Sequence, residues 1–174
     1  MITRILKILT ILILILILGF FSLGLFVPKL EYSTSVNVDG PIEKVFDTYN
    51  DLESLSDWMP EIKSVRAKKE TENKKGSVYE MVIDSDGTEV KMDETVVDYH
   101  INRMVSLKFD TGPMEKIDRF DFLEENGETI ISGSHEVIGT NYFYRCMFAM
   151  FKGGLTKVDQ KNLDTFKSYF EKKN

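Results

Sequence analysis

The sequence predicts an α+β fold: a curved antiparallel sheet of seven strands wrapped around a long C-terminal helix, preceded by one transmembrane helix. Three observations lead there. Two short amphipathic stretches in Pro41–Pro60 (PIEKVFDTYNDLESLSDWMP) separate a first strand from all the others. Six β-rich segments then follow at regular spacing, mostly joined by hairpin-type turns, which implies antiparallel pairing. From Tyr142 onward the period turns helical and carries a wide apolar stripe that needs a partner to bury it.

Residues 8–27 contain no charged side chain and are mostly Ile, Leu and Phe. About twenty such residues cross a bilayer core as a helix. Arg4 and Lys7 precede the stretch, whereas Lys29 beyond it is offset by Glu31. That bias predicts a single-pass protein of the cell membrane, with a cytoplasmic N-terminus and its globular part on the extracytoplasmic side. A cleaved signal peptide is the competing reading. Its apolar region is shorter and ends at a small-x-small site, whereas Gly19, Ser22 and Gly24 are scattered among Phe and Leu. The expected organisation is therefore an anchor over residues 1–29 and one domain over residues 30–174, a usual single-domain size.

Pro28 ends the first helix, and Glu31–Val38 alternates as a first strand. Asp39 is a candidate cap for a helix that starts at Pro41 and presents Ile42, Val45, Phe46 and Tyr49 on one face. Leu52, Leu55 and Trp58 continue at helical spacing until Pro60. Strands are expected at Ile62–Lys69, Ser77–Asp84, Thr88–Ile101, Met104–Phe109, Lys116–Leu123 and Glu128–Ile138. The turns between them include Asp84-Ser85-Asp86-Gly87 and Asn126-Gly127, the latter a strong hairpin signal. Tyr142–Phe151 (YFYRCMFAMF) reads as a helix, Gly153-Gly154 as a break, and Leu155, Val158, Asn162, Leu163, Phe166, Tyr169 and Phe170 as the stripe of the last helix.

Val38–Phe46 (VDGPIEKVF), Asp51-Leu52 and Trp58-Met59-Pro60 resemble the start of the SRPBCC superfamily, which contains START, Bet v 1-like and polyketide cyclase/dehydrase-like proteins. Glu94–Val105 (ETVVDYHINRMV) is similar to the mid-domain strand pair of that superfamily. The resemblance covers Leu30 to about Lys172 and implies a helix-grip fold. It also implies a cavity between sheet and C-terminal helix that holds a lipid or another hydrophobic small molecule. Strand residues expected at that cavity are Tyr79, Met81, Phe109, Phe120, Phe122 and His135. Trp58, Met147, Phe151 and Phe166 are expected there from the helices. No catalytic residue is common to the superfamily, so none carries over.

Counting outward from a two-residue turn at Asn126-Gly127 makes paired positions sum to 253, which sets Asp118 opposite His135. An Asp beside a His can orient the imidazole for acid–base chemistry, the basis of an alternative reading as a cyclase-, dehydratase- or hydrolase-type enzyme. The simpler expectation is a cross-strand ion pair at the sheet rim. A third possibility is a non-catalytic interaction module with a closed core.

Other chemistries find little support. His100 is expected exposed at a strand end, and two histidines without a Cys pair or H-E-x-x-H make no zinc site. Asp84/Asp86 and Glu124/Glu125 are turn residues, and no phosphate-binding glycine loop occurs, so no metal or cofactor is expected. Of 22 basic residues, Arg4, Lys7 and Lys29 lie in the first thirty, which leaves 19 against 28 acidic ones. A net charge near −9 on the globular part argues against nucleic acid. One cysteine, Cys146, leaves no internal disulfide. Trp58 is either a core plug or a cavity wall, and Tyr142–Phe151 is a lid, a bilayer-dipping segment or ordinary core.

Overall fold

In the computed structural model, which describes residues 2–85 and 87–173, a single sheet runs in the order β1-β7-β6-β5-β4-β3-β2. The strands are β1 (Leu30–Asp39), β2 (Ile62–Lys69), β3 (Val78–Ser85), β4 (Thr88–His100), β5 (Met104–Asp110), β6 (Met114–Glu125) and β7 (Glu128–Gly139). Every neighbouring pair is antiparallel. Consecutive strands from β2 to β7 are hairpin partners, and β1 closes beside β7. The helices are α1 (Ile2–Phe26), α2 (Ile42–Tyr49), α3 (Leu55–Trp58), α4 (Tyr142–Met150) and α5 (Lys152–Lys173). This is the helix-grip arrangement.

The β6–β7 register follows the turn. Asn126 (φ 54°) and Gly127 (φ 85°) adopt left-handed backbone, as a two-residue hairpin requires. Glu125 then faces Glu128, Phe122 faces Ile131, Phe120 faces Gly133 and Asp118 faces His135. In β4 the alternation shifts at a bulge between Val96 and Asp98, so Val97 is exposed and Tyr99 packs against the core.

Strand ends shift by one or two residues, and the starts of α2 and α5 differ from expectation. Asp39 is the last residue of β1 rather than a cap, and Pro41 occupies the cap position of α2. The Ile42 amide instead donates to Glu124 Oε2 at 2.9 Å, which supplies the acceptor that proline lacks. The break before α5 falls at Phe151, so Gly153 and Gly154 lie in its first turn. Asp86 lies outside the described residues. His100 is exposed at the end of β4, 3.4 Å from Asp98.

The core is aromatic. Tyr49 makes ring contacts with Phe166, Phe120, Trp58 and Phe122 at centroid distances of 5.0, 5.2, 5.4 and 5.5 Å. Phe46, Ile131, Leu163, Phe166 and Phe170 are almost wholly inaccessible around it. α5 lies along the β1 side, where Gln160 bonds both backbone groups of Ser35 (3.2 and 2.9 Å). Strands spaced about 4.8 Å apart make a seven-stranded sheet far wider than one helix of about 10 Å. One helix therefore cannot cover the concave face, and α2, α3 and their linker roof over the remainder.

Candidate functional site

The uncovered part of the concave face is a cavity of about 380 Å³, within the range of small-molecule sites. Its floor is the inward phase of β3, β4 and β5, including Tyr79, Met81, Met92, Leu107 and Phe109. Leu52, Leu55, Trp58 and Met59 form the roof, and Leu155, Val158 and Leu163 of α5 form one side. The interior is thus not closed, contrary to the interaction-module expectation.

Of the residues expected at the cavity, Trp58, Tyr79, Met81, Phe109 and Phe120 line it. Trp58 is core plug and cavity wall at once, being only 3% exposed and in tilted and edge-on ring contact with Tyr49 and Phe166. Phe122 and Phe166 do not line it. They are sealed in the aromatic core where α2 plugs that end of the sheet, Phe122 lying 4.9 Å from Phe46. Met147 and Phe151 are also elsewhere. They belong to α4 and its C-cap, and α4 packs on α1 instead of closing the cavity.

His135 stands behind the cavity wall, its side chain fully inaccessible. Its Nδ1 lies 2.8 Å from Asp118 Oδ1 and its Nε2 lies 2.9 Å from Thr34 Oγ1. Tyr32 stacks on the ring at 4.8 Å, and Phe120 meets it edge-on at 5.6 Å. The Asp118–His135 pair is therefore buried and not a rim ion pair, because α5 crosses the sheet at this point. Gly133 makes this packing possible: a Cβ there would overlap Thr34 Oγ1 and sit 2.7 Å from His135 Nε2.

Asp118 belongs to a larger polar cluster that ends the cavity. Lys116 Nζ lies 2.9 Å from both Asp118 Oδ2 and Asp159 Oδ1, and Tyr32 donates its hydroxyl to Asp159 Oδ2 at 2.5 Å. Burial alone would push the Asp118 carboxyl up, but the His135 hydrogen bond and the Lys116 charge together hold it below the ordinary carboxylate range. Burial likewise opposes the Lys116 charge, yet the two carboxylates raise its pKa. The Tyr32 hydroxyl is raised by burial and by its bond to Asp159. Asp118, His135 and Asp159 have the ligand types of a metal site, with one ligand atom from each within 4.8 Å of the others. The Lys116 ammonium bridges the two carboxylates and offsets one of their two charges. Chemically the cluster is a charged clamp that ties α5 to β1, β6 and β7.

Glu94 is the other charged group on the wall. It is 6% exposed, and makes no hydrogen bond or ion pair among the described residues. Burial, helped by the nearby Asp118 charge, pushes its carboxyl up to about 7. Sequence reasoning missed Glu94, Lys116 and Asp159. Each leaves a signal: Glu94 sits in phase between Met92 and Val96, Lys116 in phase with Asp118, and Asp159 four residues beyond Leu155 on the helix stripe.

Residues 29–171 match the sequence family described as "Polyketide cyclase / dehydrase and lipid transport". No curated protein matches the sequence. Among solved structures, a START superfamily protein from Mycobacterium smegmatis aligns with a TM-score of 0.69 at 15% identity, over 83% of this chain and 99% of that one. Ara h 8.0201 aligns with a TM-score of 0.67 at 10% identity, over 83% and 99%. The di-domain aromatase/cyclase BexL of the BE-7585A biosynthetic pathway aligns with a TM-score of 0.65 at 21% identity, over 83% of this chain but 50% of that one. At these identities the likeness is one of fold. The sequence match, which spans the sheet, the cavity and most of α5, places the chain in the polyketide cyclase / dehydrase and lipid transport family, with a START-like fold.

Proposed function

We propose that this protein is a membrane-tethered binder or carrier of a hydrophobic small molecule or lipid. The observation that carries the reading is the cavity of about 380 Å³ walled mainly by Leu, Met and aromatic side chains. Apolar surface kept from water in such a volume favours an apolar occupant, at about 25 cal/mol for each Å² covered.

α1 supplies the tether. It is long and apolar enough to cross a membrane by length and composition, and Arg4 and Lys7 at its start favour a cytoplasmic N-terminus. Its last turns rest on α4. Phe20 lies 5.6 Å from Phe143, Phe21 stacks on Tyr142 at 6.1 Å, and the Tyr142 hydroxyl donates to the Phe21 carbonyl. α4 also exposes Phe143 (52%) and Met150 (60%), apolar groups suited to a headgroup boundary. The tether holds the cavity beside a bilayer, where its ligand is concentrated.

The enzyme reading built on Asp118 and His135 is the weaker one, because the imidazole does not line the cavity and both of its nitrogens are engaged. Native mass spectrometry of the full chain, extracted in mild detergent and released in the gas phase, tests the binding reading. A stoichiometric adduct of an apolar molecule is expected. Bare protein in every preparation, including after incubation with total membrane lipid, would overturn it.

A further inference from the structure

The cavity floor formed by β3, β4 and β5 carries one charged side chain among its described residues, Glu94 in the middle of β4. The register sets Tyr79 of β3 and Phe109 of β5 directly opposite it, so those side chains start about 5 Å away. Met92 and Val96 flank it along the strand, and their partners Met81 and Leu107 complete an apolar ring around the carboxylate.

Glu94 is more than nine-tenths buried and has no hydrogen bond or ion pair among the described residues. Its oxygens are nonetheless not sealed. Trp58 Nε1 is unpartnered and wholly inaccessible, whereas the Glu94 carboxylate keeps some accessible surface, which opens on the cavity it lines. An apolar ligand filling that space strips the carboxylate of water. A buried charge must then take up a proton or find a partner.

The surroundings select a cation as that partner. Aromatic ring faces attract positive charge, and Glu94 lies between two rings. Burial and the Asp118 charge push its carboxyl up to about 7, and no protein cation pulls it back. Lys116 is held by Asp118 and Asp159, and Asp118 also bonds His135. Lys74 lines the cavity from an exposed turn position, so water carries its charge, and the half-buried Glu61 shares the lining with it. Tyr49, Tyr79 and Tyr99 are the remaining titratable side chains of the described lining.

We propose that the cavity takes a hydrophobic molecule bearing one positively charged nitrogen, an alkylammonium, which pairs with the Glu94 carboxylate between the Tyr79 and Phe109 rings. The inference rests on the binding reading above and adds a charge to the chemical class that the cavity selects.

Adamantylmethylamine, adamantylmethanol and adamantanecarboxylate carry a cation, a neutral hydroxyl and an anion on one rigid skeleton. Each radiolabelled probe is measured by equilibrium dialysis against the full chain in phosphatidylcholine nanodiscs, with empty nanodiscs subtracted. The amine, basic like a Lys side chain, stays charged at about pH 8 and about pH 5.5, whereas Glu94 changes state between them. At the higher pH the amine is expected to bind about tenfold tighter than the alcohol, as a charge-assisted hydrogen bond supplies, and the carboxylate weakest of all. At the lower pH the preference for the amine is expected to shrink to about twofold, because the protonated acid no longer pairs with it. Glu94→Gln is expected to hold it near twofold at both pH values. The glutamine copies the shape of the protonated acid, and the wild-type pH dependence is a second reading that needs no variant.

Equal retention of amine and alcohol at the higher pH, tighter retention of the carboxylate, or a preference that survives Glu94→Gln overturns the cationic class and leaves the binding reading intact. If none of the three is retained, native mass spectrometry separates the two ideas: an apolar adduct keeps the binding reading and sinks this inference, and bare protein removes both.

Discussion

His135 Nδ1 lies 2.8 Å from Asp118 Oδ1, while its Nε2 meets Thr34 Oγ1 at 2.9 Å beneath α5. An ionised Asp118 can only accept, so the imidazole donates from Nδ1, while its Nε2 is taken up by the Thr34 hydroxyl. No ring nitrogen is left for a ligand. The pair's role is to hold the charged clamp in place, with Lys116 and Asp159 completing it.

That role has a consequence for stability. His135→Leu removes one partner of a buried carboxylate and leaves Thr34 unsatisfied, and is expected to destabilise the fold by about 2–4 kcal/mol. Lys116→Met is expected to be at least as damaging, because it strips the cation from both Asp118 and Asp159. Urea titration of the full chain in detergent, followed by circular dichroism, measures both. A change under about 0.5 kcal/mol in either variant would refute the clamp.

Glu94 sets a pH dependence of opposite sign to that of Asp118. Its carboxyl has an ordinary value of 4.5 and is pushed up to about 7 in the folded protein, chiefly by burial. Between those values the folded state binds more protons than the unfolded one, so stability falls as pH rises, by about 1.4 kcal/mol per unit at most. Asp118 is held low, so its contribution is present above the ordinary carboxylate range and lost as pH falls through its depressed value. Stability is expected to peak on the acid side of neutrality, and Glu94→Gln to flatten the decline towards pH 8. Thermal melts across pH 4–8 test this, and identical pH profiles for wild type and variant would exclude Glu94 as the cause.

Gly133→Ala places a methyl group against Thr34 Oγ1, His135 Nε2 and Phe120, the last at 3.2 Å. All three neighbours are buried, so the crowding is not relieved cheaply. A loss of about 1–3 kcal/mol is expected. Restoration of stability in Gly133→Ala/Thr34→Ala, relative to Thr34→Ala alone, would identify the Thr34 hydroxyl as the obstacle; a double-mutant cycle on melting data reads this.

At the tether, a side chain on Gly24 would start 2.6 Å from Cys146 Sγ and 3.0 Å from the Tyr142 ring. Gly24→Leu is therefore expected to separate α1 from α4. Cys146 is the chain's single cysteine and is fully buried, so maleimide labelling in nanodiscs reports the contact directly. Labelling at least tenfold faster in the variant is expected, and equal rates would show that the helices part freely in the wild type.

Much of this arrangement is legible in the residues. Period-two alternation, an Asn-Gly turn and a helical stripe are local signals, and from them follow the strands, the β6–β7 register and the Asp118–His135 juxtaposition. The burial of that pair is not local. It depends on α5 lying across β1 and reaching β6, which brings Asp159 next to residues more than forty positions away. Phe122 and Phe166 carry the same apolar character as Phe120, yet only Phe120 reaches the cavity, because α2 seals one end of the sheet and not the other.

What the sequence by itself determined was the order of elements, the pairing of strands, an apolar segment long enough to cross a bilayer and the family to which the chain belongs, since periodicity, turn chemistry and motif are written within short stretches. Only the tertiary structure decided which side chains wall the cavity, that His135 stands outside it, and that Glu94 stands on its wall with no hydrogen bond among the described residues. The reason is geometric. A residue's phase on a strand gives the face it points to, but whether that face meets a helix, a hollow or another charge depends on how elements distant in sequence pack together.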